Sequence, residues 1–131
     1  MTESARWTLK RMVEAMNRHD PVAATEAFAD DVLFWEPTYD APRRGRESVR
    51  RDLAGFFAML PDVRFTTETL LVGGDRAVHE WSYRATYGGR PIALRECAVS
   101  HVDADGHLAE VRVYFDRLTL LRQLGLMPDV D

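Results

Sequence analysis

Glu36 ends the apolar run Val32-Leu33-Phe34-Trp35 and is followed at once by Pro37. A carboxylate at that place, facing the same side as Phe34, loses part of its hydration. Its pKa then rises toward the range in which a general base or acid works at neutral pH. The competing role is a rim carboxylate paired with Arg43 or Arg44. His79, Trp81 and Tyr83 recur at every second position of Arg76 to Tyr87, so a strand sets them on one face and Val78, Glu80, Ser82 and Arg84 on the other. A histidine beside two amphipathic aromatics either walls a flat, apolar pocket with a few polar handles or is ordinary core. His101 and Glu96 have opposite parity on one strand, so only one of them faces inward unless a bulge intervenes, and a structural role competes for His101. Asp116 alternates with Arg112 and Tyr114 against Val111, Val113 and Phe115, and capping of the following helix competes with a catalytic role for it.

Other chemistries find no support. The histidines at 19, 79, 101 and 107 lack the i, i+4 spacing of helical metal ligands, so no metal site is expected. His19 and His107 fall in turns. Gly73-Gly74 and Gly88-Gly89 read as hairpin turns rather than a phosphate loop. No serine or cysteine stands in a nucleophile motif, and Cys97, within a strand, reads as a small core hydrophobe. Proton transfer without any cofactor is the chemistry that remains. Tyr39 and Asp40 lie in the loop after Pro37, where contacts at a pocket mouth are common.

The elements that must position these groups follow from periodicity. Ala5, Leu9, Met12, Val13 and Met16 form one apolar stripe of a helix over residues 2–17. Asp20-Pro21 opens a second helix that is expected to run through Ala24 and Ala27 to Phe28, with Asp30-Asp31 breaking it. Val32 to Glu36 is a short strand. A third helix from about Glu47 to Leu60 buries Val49, Leu53, Phe56, Phe57 and Leu60 before Pro61 closes it. Four strands follow, Val63 to Val72, Arg76 to Tyr87, Pro91 to Val102 and His107 to Asp116, and short turns between them require antiparallel pairing. Leu118, Leu121 and Leu124 give a last turn of helix over an opening or an interface. The expected fold is α+β within a single domain, 1–131: three N-terminal helices packed on a curved, mixed or antiparallel sheet, a cone-shaped barrel around one pocket.

Composition agrees with such a domain. The 131 residues are 46% hydrophobic and 29% charged, with 17 Lys plus Arg against 21 Asp plus Glu, for a net charge of −4. That balance can close a core and is unlike a disordered chain. A pI near 5.6 argues against nucleic-acid binding, and the cluster Arg43, Arg44, Arg46, Arg50 and Arg51 is broken by Gly45 and Glu47. The single Cys97 forms no intrachain disulfide. Neither a leader-like apolar run at Met1 to Lys10 nor a stretch near the ~20 apolar residues of a membrane span is present. The expectation is a cytoplasmic protein that does not engage a membrane.

The element order, with Phe28-Ala29-Asp30-Asp31-Val32 before Trp35-Glu36-Pro37, and Asp105-Gly106-His107-Leu108 before Tyr114-Phe115-Asp116 and Gln123-Leu124-Gly125, resembles the SnoaL-like branch of the nuclear transport factor 2-like superfamily. That scaffold hosts polyketide cyclases, ketosteroid isomerases, epoxide hydrolases, dehydratases and non-catalytic binders. The resemblance to ketosteroid isomerases places Glu36-Pro37 at the proton-abstracting carboxylate, but Met12 and Ala98 stand where those enzymes bind the enolate oxygen. At the catalytic positions of limonene epoxide hydrolases stand Trp81, Tyr83 and Val113. Similarity to SnoaL-like cyclases points to Asp116 as acid/base and His101 as its helper. The resemblance also puts His79, Trp81 and Tyr83 inside the cone. It implies a cofactor-free cyclase or isomerase for an apolar or aromatic, carbonyl-bearing metabolite, with Glu36, Asp116, His79 and His101 as catalytic candidates. Phe34, Trp35, Tyr39 and Phe56 are expected to contact substrate, as are Trp81, Tyr83, Val113 and Phe115. A non-catalytic binder is the alternative, with an epoxide hydrolase-like enzyme a further one, and a homodimer through the outer sheet face is expected.

Overall fold

The computed structural model describes residues 2–127. Helix α1 (Thr2–Asn17) buries Ala5, Leu9 and Ala15 on the stripe side. It stops because His19 takes a φ of +56° and the chain turns back, with Asp20 N–H donating to the Ala15 carbonyl at 3.0 Å. His19 Nε2–H also donates to the Val63 carbonyl at 2.7 Å. Asp20 caps α2 (Pro21–Thr25) by accepting from Ala23 N–H at 3.0 Å.

Here the structure corrects the expected helix to Phe28. Thr25 turns its hydroxyl back onto the Pro21 carbonyl, and strand β1 (Phe28–Trp35) starts three residues later. Long-range pairing overrides the local helical pattern, since the Ala27 carbonyl accepts from Leu108 N–H at 2.9 Å. Asp30 and Asp31 are therefore no helix break. They sit exposed inside β1, where the register to its neighbour shifts between Phe28 and Leu33. Arg46 holds that irregular segment through two hydrogen bonds to the Phe28 carbonyl and an ion pair with Asp30 at 3.0 Å.

A two-residue strand, β2 (Arg43–Arg44), pairs antiparallel with Leu33 and Phe34, so two of the clustered arginines belong to a sheet edge. Helix α3 (Arg46–Met59) follows Gly45, whose φ of +101° gives the turn into the helix, and buries Val49 and Phe57. Strands β3 (Arg64–Gly73), β4 (Arg76–Tyr87), β5 (Arg90–Val102) and β6 (Leu108–Phe115) form the antiparallel meander, and α4 (Arg117–Gln123) ends the described chain.

The sheet has six strands in the order β2-β1-β6-β5-β4-β3, antiparallel except for β1 against β6. It curves without closing: β2 and β3 are opposite edges and do not pair, so the expected barrel is an open cone. Helix α1 lies against β3, and α3 against β1. Buried side chains form two clusters, one around Leu9, Val32, Leu108 and Val111, the other around Phe57, Leu60, Val63 and Ile92. Each such side chain contributes roughly 1.5–3 kcal/mol. Trp81 and Phe115 touch both clusters, and the space between the clusters is left unfilled.

Candidate functional site

A cavity of about 320 Å³ opens between the concave sheet face and the helices. Strand alternation builds its wall. His79, Trp81 and Tyr83 come from β4, Glu96, Ala98 and Ser100 from β5, and Val111, Val113 and Phe115 from β6. Helix α1 supplies Leu9, Met12, Val13 and Met16, and α3 supplies Phe56. Leu120 of α4 and Leu124, which caps that helix, close one side. That short helix is held by Gln123, whose amide accepts from Ala93 N–H and donates to the Ala93 carbonyl, both at 2.8 Å.

Glu36 faces this cavity directly after β1. Burial raises its pKa, opposed by the Thr38 backbone N–H and by the charges of Arg43 and Arg117, while Asp52 adds to the rise. The rim ion pair does not form. Arg43 pairs with Asp52 and stacks 4.1 Å above the Tyr39 ring, and Tyr39 donates its hydroxyl to Asp52 at 2.8 Å. Arg44 turns toward the Asp31 carbonyl.

Glu96, the alternative to His101 on β5, also borders the cavity, and beside Asp52, which is taken up by Arg43 and Tyr39, it is the carboxyl that remains to join Glu36. Burial pushes its pKa up to about 8, the negative charge of Glu36 pushes the same way, and the indole of Trp81 opposes both. Trp81 and Glu96 are cross-strand partners. The indole N–H is close enough to favour the ionised carboxyl, yet it completes no hydrogen bond of sound geometry. The signal for Glu96 is in the sequence. A two-residue turn at Gly88-Gly89 sets Tyr87 against Arg90, and counting back along both strands sets Trp81 against Glu96, on the same face. Parity then sends His101 outward.

His79 is 3% exposed, and burial holds its pKa down at about 4, so the imidazole is neutral. Its Nε2 lies 3.0 Å from the Thr67 hydroxyl, while Nδ1 has no partner. Tyr83 is buried, and desolvation raises its pKa.

Three expected residues lie elsewhere. Asp116 is exposed and caps α4, accepting from Leu118 N–H at 3.0 Å and from the Thr119 hydroxyl at 2.7 Å, which lowers its pKa. His101 meets Asp75 at 3.0 Å on the outer side. Trp35 packs on the exposed Tyr114, ring centroids 5.5 Å apart, because odd and even positions of β1 take opposite faces. Phe34, Tyr39, Phe56, Trp81, Tyr83, Val113 and Phe115 all border the cavity.

At the β5–β6 turn, possible ligand atoms of Asp103, Asp105 and His107 fall within 4.8 Å of one another. The turn itself accounts for this, since Asp103 accepts from Asp105 N–H at 2.9 Å and His107 N–H at 3.0 Å. No helix among the described residues is long and apolar enough to cross a membrane.

Known structures share this architecture at low identity. AclR of Streptomyces galilaeus, a proposed hydroxylase, superposes with a TM-score of 0.83 at 19% identity, over 100% of this chain and 87% of that one. A proposed polyketide cyclase from Bacillus cereus gives 0.81 at 22% identity, over 95% and 83% of the two chains. An LEH-like epoxide hydrolase of M. tuberculosis gives 0.77 at 19%, over 94% and 90%. No curated protein sequence matches significantly. The SnoaL-like domain pattern matches residues 9–111, and the chain belongs to that family.

Proposed function

We propose that this protein is a cofactor-independent cyclase or isomerase that moves protons on an apolar, carbonyl-bearing, polyketide-like metabolite. The observation that carries this reading is a pair of carboxyl groups, Glu36 and Glu96, facing one largely apolar cavity, where burial raises the pKa of both and pushes that of Glu96 up to about 8. Thr38 N–H, Arg43 and Arg117 favour the ionised form of Glu36, and a negative charge there favours the proton on Glu96. These surroundings suit Glu36 to act as the base and Glu96 as the acid.

With a ketone in the cavity, Glu36 takes a proton from the carbon next to the carbonyl. The Glu96 carboxyl donates to the carbonyl oxygen, and that hydrogen bond strengthens as the oxygen becomes an enolate. Returning the proton from Glu36 to a different carbon gives isomerisation. Attack of the enolate carbon on a second carbonyl of the same molecule, with a proton delivered to the new alkoxide, gives ring closure. No arginine borders the cavity among the described residues, and Trp81, Tyr83 and Val113 fill the wall, which supports proton transfer over epoxide opening. The outward sheet face, with Leu71 62% and Tyr114 47% exposed, is where a homodimer would form.

The test begins with native mass spectrometry of protein from its own host, to identify a co-purifying metabolite, followed by turnover assays on it. Glu36→Gln should lower turnover by at least ~100-fold while binding persists. Unchanged turnover in that variant refutes the catalytic reading. Saturable binding with no conversion by the wild type leaves the non-catalytic binder.

A further inference from the structure

One polar atom of the cavity wall is left without work by the acid/base pair. His79 Nδ1 is buried and unpartnered on a side chain only 3% exposed that borders the cavity. An orphaned polar atom in such a place costs stability unless a ligand satisfies it. The other unpartnered nitrogen of the wall, Trp81 Nε1, stands beside Glu96 and is explained by it.

The contact to Thr67 leaves two arrangements of the neutral ring. If the Thr67 hydroxyl donates to Nε2, Nδ1 carries the proton and needs an acceptor. If Nε2–H donates to Thr67, Nδ1 is bare and needs a donor. A hydroxyl group, which both donates and accepts, answers either arrangement. Ser100, 3% exposed, presents a second hydroxyl from the adjoining strand on the diagonal to His79, so this end of the cavity is polar but uncharged.

Position adds a distance. His79 and Trp81 are two residues apart on β4, which is ~7 Å along the strand, and Trp81 faces Glu96. A ligand with its carbonyl at Glu96 therefore carries its second polar group about 7 Å away, the span of two fused six-membered rings. The cavity volume of about 320 Å³ suits a molecule of that size and is at the lower end for small-molecule sites, roughly 300–1,000 Å³.

We propose that His79 is a specificity-determining residue that binds a hydroxyl of the ligand, and that the ligand is a neutral, two-ring-sized hydroxy-carbonyl compound. This rests on the cavity being the carbonyl-binding site proposed above, and not on turnover there. The test compares 6-hydroxy-1-tetralone with 6-methyl-1-tetralone, which replaces the hydroxyl by a methyl group of similar size, by titration calorimetry. Wild type should bind the hydroxy compound at least about tenfold more tightly. His79→Leu should bring the two affinities together while leaving that of the methyl compound undiminished. A second measurement needs no variant: the ¹⁵N resonance of His79 Nδ1 should move on adding the hydroxy compound and not the methyl one. Equal affinities in wild type, a preference that survives His79→Leu, or an unmoved Nδ1 resonance overturns the proposal. Because only binding is read, the hydroxyl preference can stand where Glu36→Gln shows no catalytic effect, and can fail where Glu36→Gln abolishes turnover.

Discussion

Replacing Glu96 by glutamine should make the protein more stable at alkaline pH, and the size of the effect follows from its surroundings. In the unfolded chain a glutamate ionises with a pKa near 4.5, whereas in the folded cavity burial and the charge of Glu36 push that of Glu96 up to about 8. Between those values the folded state holds a proton that the unfolded state has released, so stability falls as pH rises and levels off above about 8. His79 acts in the opposite sense lower down. Its ordinary value is 6.5 and burial lowers it to about 4, so the unfolded chain takes up a proton first and stability falls as pH drops below 6.5. The window from pH 6.5 to 8 therefore isolates Glu96, and at ~1.36 kcal/mol per pH unit the loss across it is about 2 kcal/mol, reduced by water entering the open cavity. Urea denaturation of wild type and Glu96→Gln at half-unit pH steps is the assay. The variant should gain on wild type by roughly 1–2 kcal/mol between pH 6.5 and 8. The His79 contribution is common to both proteins and cancels. Parallel curves across that window would mean that Glu96 is already ionised at neutral pH, and the acid half of the proposed pair would be lost.

Two further substitutions separate packing from chemistry. Leu60, 1% exposed in the cluster with Val63 and Phe57, should lose about 2–5 kcal/mol of unfolding free energy on change to alanine, read by urea denaturation. A loss below ~1 kcal/mol would mean that this corner of the core can collapse onto the void. Asp116→Ala should lower the melting temperature slightly, through loss of the α4 cap, and leave turnover on an identified substrate unchanged. A large catalytic loss there would return Asp116 to the site.

Much of the cavity wall was legible in the residues themselves. Period two on Arg76 to Tyr87 grouped His79, Trp81 and Tyr83, and the structure places that group on one concave face. The helical stripe of α1 and the breaks at Pro21, Gly45, Pro61, Gly88-Gly89 and Gly106 mark most element boundaries, because backbone conformation at such points depends on the residue and its near neighbours. Glu36 could be singled out for the same local reason, an acid ending an apolar strand before proline.

Other features depend on partners far along the chain. Residues 26–31 read locally as helix and break, and pairing with Leu108 starts a strand at Phe28 instead. The register of β5 against β4 follows from the two-residue turn, but which face of the two strands lines the cavity was decided only when the sheet met the helices, with Glu96 inward and His101 outward. Sequence alone thus determined the α+β class, the strand faces and the kind of chemistry available. Tertiary structure alone decided that Glu36 and Glu96 meet in one cavity, why Asp116 is a cap, and that the sheet stays open, because burial and charge-to-charge distance exist only once distant segments meet.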